Sequence, residues 1–277
     1  MPLAERVAAL MREVAAEVVM PRHRALAAGD VQEKSPGEIV TVADREAELR
    51  LRDGLEALDL GIRIVGEEAA AEDPALLDDV GQGLLWLVDP LDGTANFASG
   101  NGPFGMMVAL VEDGVPLLGL ILDPRDGRLC LAERNRGATL DGEKLRARPS
   151  GRRPPVAALG THFLSAGERA KVHAHAQTHL KVVPVPRCAA ASYPRLVTGE
   201  EDIALFQRNL PWDHAPGALF LTEAGGMVTD WSGEPYRVGR GFGILAASDP
   251  GTWADAAGLL LAPEAGLPMG DGWKNPW

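Results

Sequence analysis

Three groups of acidic residues stand where carboxylates are costly. Glu67-Glu68 follows the apolar run Ile62-Arg-Ile-Val65, Asp89 and Asp92 follow Leu84-Leu-Trp-Leu-Val88, and Asp213 precedes a helix-like stretch from Ala215. A carboxylate at the end of a buried strand needs a cationic partner or a metal. Arg63 lies near the first group, but Asp89 to Gly102 contains no Lys, Arg or His. Hard oxygen donors, without cysteine or a close histidine pair, suit Mg²⁺ or Mn²⁺ better than Zn²⁺. In Asp89-Pro-Leu-Asp-Gly-Thr94, Pro90 fixes a turn, the two Asp lie three apart, and Gly93-Thr94 can present bare backbone amides. A short helix starting there would aim those amides at a phosphate. The Thr94 hydroxyl, beside a metal-bound carboxylate, could orient an attacking water.

The elements that must position these groups are legible from periodicity. Leu3, Val7, Leu10, Met11, Val14 and Val18 predict an amphipathic helix ending near Pro21. A turn region with Gly29, Pro36 and Gly37 follows, then a charged helix over 45–58 with Asp44 as its N-cap. Strands are predicted over 62–65 and 84–88, and then over 106–111, 115–122 and 128–131. Asp113-Gly114, Asp126-Gly127 and Asp141-Gly142 read as the hairpin turns of an antiparallel sheet. Residues 146–155, rich in Arg, Pro, Ser and Gly, read as a linker between an N-terminal half (1–145) and a C-terminal half (155–277). The second half alternates strands (156–159, 182–185, 203–206, 243–246) with helices (166–179, 215–224, 252–260), and Gly225-Gly226 stops one of them. The fold class is α+β, sheet layers covered by helices.

Composition bounds the function. With 27 basic and 39 acidic residues the net charge is −12, which argues against nucleic acid or an anionic membrane as a partner. Two cysteines, Cys130 and Cys188, are too few for a disulfide framework or a four-thiolate zinc site and read as small core residues. Charges every few positions in the first turns exclude a signal peptide there, and no apolar run is long enough to span a bilayer, so a cytoplasmic location is expected.

Several tempting residues have plainer readings. Asp113, Asp126 and Asp141 read as turn residues. His173, His175 and His179 read as a solvated helix face, and Trp212, Trp231 and Trp253 as core or interface aromatics. Lys34 reads as ordinary surface and Glu68 as support for Glu67. Asp213 can cap a helix as well as bind metal, and His214 beside it can contact substrate.

Gly66-Glu-Glu68, Trp86-Leu-Val-Asp-Pro-Leu-Asp-Gly-Thr-Ala-Asn-Phe97 and Trp212-Asp-His-Ala-Pro-Gly217 resemble the three motifs of the inositol monophosphatase family, in order and spacing. Val40-Thr-Val-Ala-Asp44 and Glu223-Ala-Gly-Gly226 extend the resemblance, which runs from about residue 34 to 250. It implies a layered α-β-α-β-α sandwich, a homodimer, and a Mg²⁺-dependent, Li⁺-sensitive phosphomonoesterase using two or three Mg²⁺ ions. Carried over residue by residue, Glu67, Asp89, Asp92, Asp213 and the Leu91 carbonyl would be metal ligands. Glu67 and Thr94 would activate the water, with Asp44 polarising Thr94. The amides of Gly93 and Thr94 would hold the phosphate, and Asp92, Asp213 and residue 206 would face the substrate. Two departures bear on that substrate. Phe206 stands where family members that use inositol phosphate carry an acidic residue, and Arg187-Cys-Ala-Ala-Ala-Ser-Tyr193 replaces a Gly-Thr-Ala-Ala-type stretch. A small phosphorylated metabolite is expected: a sugar or polyol phosphate, a nucleoside 3′-phosphate or histidinol phosphate, so that the alternatives within the family are a 3′(2′),5′-bisphosphate nucleotidase and a histidinol-phosphate phosphatase. The other class of reading is a regulatory binding protein that has lost turnover, which would be expected to lack at least one of Glu67, Asp89, Asp92, Thr94 and Asp213.

Overall fold

In the computed structural model, which describes residues 1–35 and 37–268, the run Leu84–Asp92 is a strand buried on both faces. The chain forms helix α1 (Leu3–Val14), a π-helical turn (Ala15–Val19) and a short α2 (Met20–Arg22), then a hairpin of β1 (Val31–Ser35) and β2 (Glu38–Thr41). Next come α3 (Val42–Glu56), β3 (Arg63–Gly66), α4 (Glu67–Glu72), β4 (Leu84–Asp92) and α5 (Thr94–Ala98). A meander follows: β5 (Gly105–Glu112), β6 (Val115–Asp123), β7 (Arg128–Glu133), β8 (Gly137–Leu140) and β9 (Glu143–Leu145). The second half contains β10 (Val156–Gly160), α6 (Ala166–Ala176), β11 (Lys181–Val183), α7 (Ala189–Thr198), β12 (Ile203–Phe206), α8 (Pro211–Glu223), β13 (Met227–Thr229), β14 (Ile244–Ala247) and α9 (Pro250–Leu260).

Strands β3 to β9 lie side by side in sequence order, β3 and β4 parallel and the others antiparallel. The second sheet has the order β11-β10-β12-β14-β13, with β10 parallel to both its neighbours. Alternation along β5 shows how the layers form: Met106 and Val108 face the core under α1 and α3, while Met107 and Ala109 face the opposite side. That opposite side is covered by α7 and α8, which also pack against Ala204, Ile244 and Ala246 of the second sheet. Beyond the second sheet, α6 and α9 bury Val172 and Leu260 against Leu159 and Leu245. The result is the α-β-α-β-α sandwich. Helix α8 is therefore an interior helix, with ten of its thirteen residues buried, which explains its nearly unbroken apolar sequence.

Several boundaries differ from expectation, each for a local reason. The charged helix begins at Val42, capped by Thr41; Asp44 is the third helical residue, closing a capping box in which it accepts from the Thr41 amide at 2.8 Å. Helix α8 begins at Pro211, where a proline suits the first helical position, so Asp213 lies in the first turn instead of capping. The turn region around Gly29 and Gly37 contains the β1–β2 hairpin; Pro36 lies outside the described residues. Helix α6 stops at Ala176, leaving His179 beyond it, and α7 was not foreseen. Residues 146–155 form neither helix nor strand and are tied to the second half by Asp202, which accepts from the Ser150 and Val156 amides at 2.6 and 2.7 Å. Both cysteines are buried and free.

Candidate active site

Because β3 and β4 run parallel, their carboxyl ends open on the same side of the sheet, and Glu67 and Asp89 arrive together. Glu67 opens α4, and the helix start is fixed by Glu48, whose carboxylate accepts from the amides of Glu68 and Ala69 at 2.7 and 2.8 Å. A Cβ on Gly66 would lie 2.3 Å from the Glu48 carboxyl carbon, so a side chain there would push this cap aside. Glu67 in turn accepts from the Lys34 ammonium at 2.6 Å, and Glu68 accepts from the same group at 2.9 Å. Lys34 is thus not surface. The β1–β2 hairpin carries it into the acidic cluster. Burial works against its charge, but Glu67 and then Glu68 outweigh that and raise its pKa.

The end of β4 bends through an irregularity between Asp89 and Asp92. Asp89 accepts from the Leu91 amide at 3.0 Å. Gly93 adopts a left-handed φ of 82° and could not carry a Cβ, which would lie 2.8 Å from the Pro103 carbonyl oxygen. The Thr94 hydroxyl is 2.9 Å from Asp44 Oδ1 and 3.0 Å from the Leu91 carbonyl oxygen. The other Asp44 oxygen accepts from the Thr41 hydroxyl at 2.5 Å. Asp92 is held from the second half: its carboxylate accepts from the Ala190 amide, in the first turn of α7, at 2.6 Å.

Asp213 completes the group. Carboxylate oxygens of Glu67, Asp89 and Asp213 lie within 4.8 Å of one another, and Asp92 is close enough for its charge to raise the pKa of both aspartates. Burial first, and then Glu67, pushes Asp89 well above the ordinary carboxylate range; Asp213 is pushed up by burial, then Asp92 and Glu67. Asp92 rises to about 6 through burial and Glu67, against the Ala190 amide. Asp44 rises to about 6 through burial, and Glu68 to about 7 through burial and Glu67. These carboxyls resist carrying their charges together, and among them Lys34 bonds to Glu67 and Glu68 alone. An all-oxygen donor set with surplus negative charge fits a hard divalent ion such as Mg²⁺. Glu67, Asp89, Asp213 and Asp92 could hold it.

Phe206 lies in a ring cluster. It stacks on Tyr193 (centroids 5.6 Å apart, 18° between planes) and meets His214 edge-on at 4.8 Å. His214 is buried and lies 3.0 Å through Nδ1 from the Tyr193 hydroxyl, with its pKa pushed down to about 3 by burial. Gly217 makes room for the ring, since a Cβ there would fall 1.9 Å from Tyr193. His173 bonds Thr161 at 2.8 Å and His179 bonds Thr178 at 2.6 Å; neither joins a metal-binding group among the described residues.

Glu48, the Ala190 amide and the pairing of Lys34 were missed in the sequence. Glu48 left a signal: it follows Asp44 by one turn on the buried stripe that includes Ala47, Leu51 and Leu55, and an acid on an apolar helix face needs a partner. Lys34 and Ala190 left none, because their partners are distant in the chain.

The sequence model of the inositol monophosphatase family matches residues 3–264. The chain belongs to that family. Among its relatives, the inositol-1-monophosphatase of Mycobacterium leprae is 34% identical over 94% of this chain and 90% of its own length. That of Bacillus subtilis is 28% identical over 86% and 89%. A solved inositol monophosphatase-family structure, the Thermotoga maritima IMPase, superposes with a TM-score of 0.77 at 26% identity, covering 93% of this chain and 95% of its own. The protein is thus a phosphatase of a metal-dependent family, and no helix among its described residues is long and apolar enough to cross a membrane.

Proposed function

We propose that the protein hydrolyses a small phosphate monoester with Mg²⁺, in the cytoplasm. The observation that carries this reading is the convergence of Glu67, Asp89 and Asp213 within 4.8 Å beside the Thr94–Asp44 pair. When bound, Mg²⁺ would offset the phosphate charge, acidify a water and steady the leaving oxygen. The protein's own groups then have separable tasks. Glu67, Asp89, Asp92, Asp213 and the Leu91 carbonyl supply oxygen ligands. Thr94 donates a hydrogen bond to Asp44, so its oxygen could accept one from the attacking water, and Glu67 would be the base that takes that water's proton. The amides of Gly93 and Thr94 would face the phosphate at the start of α5.

Asp44 serves best as a carboxylate, since only then can both its oxygens accept. With a pKa near 6 it is ionised above that pH. The ring cluster supports a second element of the reading, that inositol 1-phosphate is not the preferred substrate. An apolar ring at position 206 accepts no hydrogen bond from a polyol hydroxyl, and a flatter or less hydroxylated leaving group fits it better. Phosphate release should be measured over polyol, nucleotide and histidinol phosphates, with Mg²⁺ and with EDTA. Release that requires Mg²⁺ is expected. Equal release in EDTA, or none from any ester, would overturn the reading.

A further inference from the structure

Helix α8 lines a second opening, away from its first turn. On one side stand the start of β6 and the β7–β8 turn; on the other stand β13 and residues 235–237. Together with the later turns of α8 they frame a cleft of about 380 Å³ between the two sheets, within the range of small-molecule sites. Its walls are mostly apolar, with Pro116, Leu219, Met227, Val228 and Tyr236 among them. On α8 the lining runs from Ala218 to Glu223, which places it roughly 8–15 Å along the helix from Asp213.

The backbone brings two arginines to this cleft. The Arg134 amide donates to the Leu117 carbonyl, and Val238, next to Arg237, donates to the Gly114 carbonyl, both at 2.9 Å. Those carbonyls lie three residues apart at the start of β6, a separation of roughly 10 Å. Tyr236, on the other side of Arg237, donates to the Val228 carbonyl at 3.1 Å, so Arg237 is pinned between the two sheets. Arg134 and Arg237 both line the cleft and both are exposed, and neither guanidinium has a hydrogen bond or ion pair among the described residues. The carboxylates beside them are engaged. Glu133 pairs with Arg136 at 3.0 Å, and Glu223, in the lining itself, accepts from the amides of Asn135 and Gly137 at 2.8 Å each. Those two bonds also fix the turn that carries Arg134. Across Glu223, Arg136, Lys144 and Arg146 line a neighbouring cleft. Residues 134–153 contain seven basic and two acidic residues, so this stretch is positive in a chain whose net charge is −12.

We propose that this cleft is a second binding site, for a small molecule that joins one oxyanion to an apolar body. The guanidiniums of Arg134 and Arg237 take the carboxylate or phosphate as forked, charge-assisted donors, and the apolar walls take the hydrocarbon. The site shares helix α8 with the acidic cluster but none of the cluster's residues. The inference goes beyond the phosphatase reading and stands without it.

Amide NMR of the full chain tests this, in EDTA so that the acidic cluster holds no metal and repels anions. Three probes are titrated: 1-naphthaleneacetate, its uncharged counterpart 1-naphthaleneacetamide, and acetate. The naphthaleneacetate should shift the amides of Thr222, Met227 and Arg237 saturably. The other two should bind at least about tenfold more weakly, one for want of the charge and one for want of the buried ring. Replacing both arginines together, Arg134→Gln with Arg237→Gln, should lower the affinity for naphthaleneacetate at least about tenfold and leave that for the uncharged amide unchanged. Both positions are exposed, so an unchanged melting temperature would show that the double variant folds. Shifts confined to Asp92, Gly93 and Asp213 would overturn the proposal, as would equal affinities for the charged and uncharged naphthyl probes. Parent-like binding by the double variant, or no saturable binding of naphthaleneacetate at all, would overturn it too.

Discussion

The two sides of the site are built on opposite terms. On the first-half side, almost every polar group is spoken for: Glu48 caps α4, Thr41 and Thr94 share Asp44, and Lys34 bridges Glu67 and Glu68. On the second-half side, the rings of Tyr193, Phe206 and His214 pack on one another. On the proposed function, the first side would serve what all phosphate esters share and the second what distinguishes one ester from another. The lesson is that a fixed reaction and a variable substrate can be served by separate secondary structures meeting at one opening.

The largest expected effect lies on the acidic side. Asp92→Asn should remain folded, and its metal-free form should melt higher at neutral pH because one buried charge is gone. Turnover with Mg²⁺ should fall by ~10³-fold or more, since several kcal/mol of charge stabilisation depend on the ligand set. Parent-like rates in a phosphate-release assay would remove the distinction between the two sides.

Next in size is the pH response of the metal-free protein. Asp92 and Asp44, each near 6, and Glu68, near 7, bind protons more tightly folded than unfolded. Their contribution is therefore full below the unfolded carboxylate range, and it is lost as pH rises through about 4 to 7. The loss should total on the order of a few kcal/mol. Calorimetric melting in EDTA should give a lower Tm at pH 7 than at pH 5, and saturating Mg²⁺ should shrink or reverse the difference. The same pH slope with and without metal would show that the cluster is not the source.

Lys34→Met removes the cation that bridges Glu67 and Glu68. Removing a mostly buried partner from two carboxylates should cost about 1–3 kcal/mol in EDTA, discounted for its partial exposure. It should also enlarge the rise in Tm on adding Mg²⁺, because Glu67 is freed for the ion. An unchanged melting curve would return Lys34 to the status of ordinary surface.

The smallest effect is sought on the ring side. Phe206→Glu should raise kcat/KM for inositol 1-phosphate relative to adenosine nucleotides by ~10-fold, within the range that a single pocket contact supplies. No gain would mean that the ring does not face the leaving group.

How far the sequence reveals this arrangement depends on the range of each interaction. The meander from β5 to β7 and its Asp-Gly turns follow from alternation and local turn chemistry, and the acids announce themselves by sitting at the ends of apolar strands. Helix α8 was placed four residues late because its first turn, Pro211-Trp-Asp-His214, has no periodic stripe; all sides of that helix are buried. The β1–β2 hairpin was read as a turn region because its strands are short, with only Val40 and Thr41 fully buried. The pairing of Lys34 is hidden for the same reason, since its role depends on where that hairpin folds back. Helix α7 was obscured by Pro194, which lies inside it.

Helix α8 places Asp213 against the acids and His214, its next residue, against Tyr193 and Phe206. Successive residues on a helix diverge by about 100°, so neighbouring letters of the sequence address different compartments of the same opening. Inserting one residue before Asp213 would swing both out of place at once, and a helix enclosed by two sheets has no room to unwind in compensation. Substitutions at either position can be selected separately, but a shift of register cannot. On this helix the acidic cluster and the ring cluster share one reading frame.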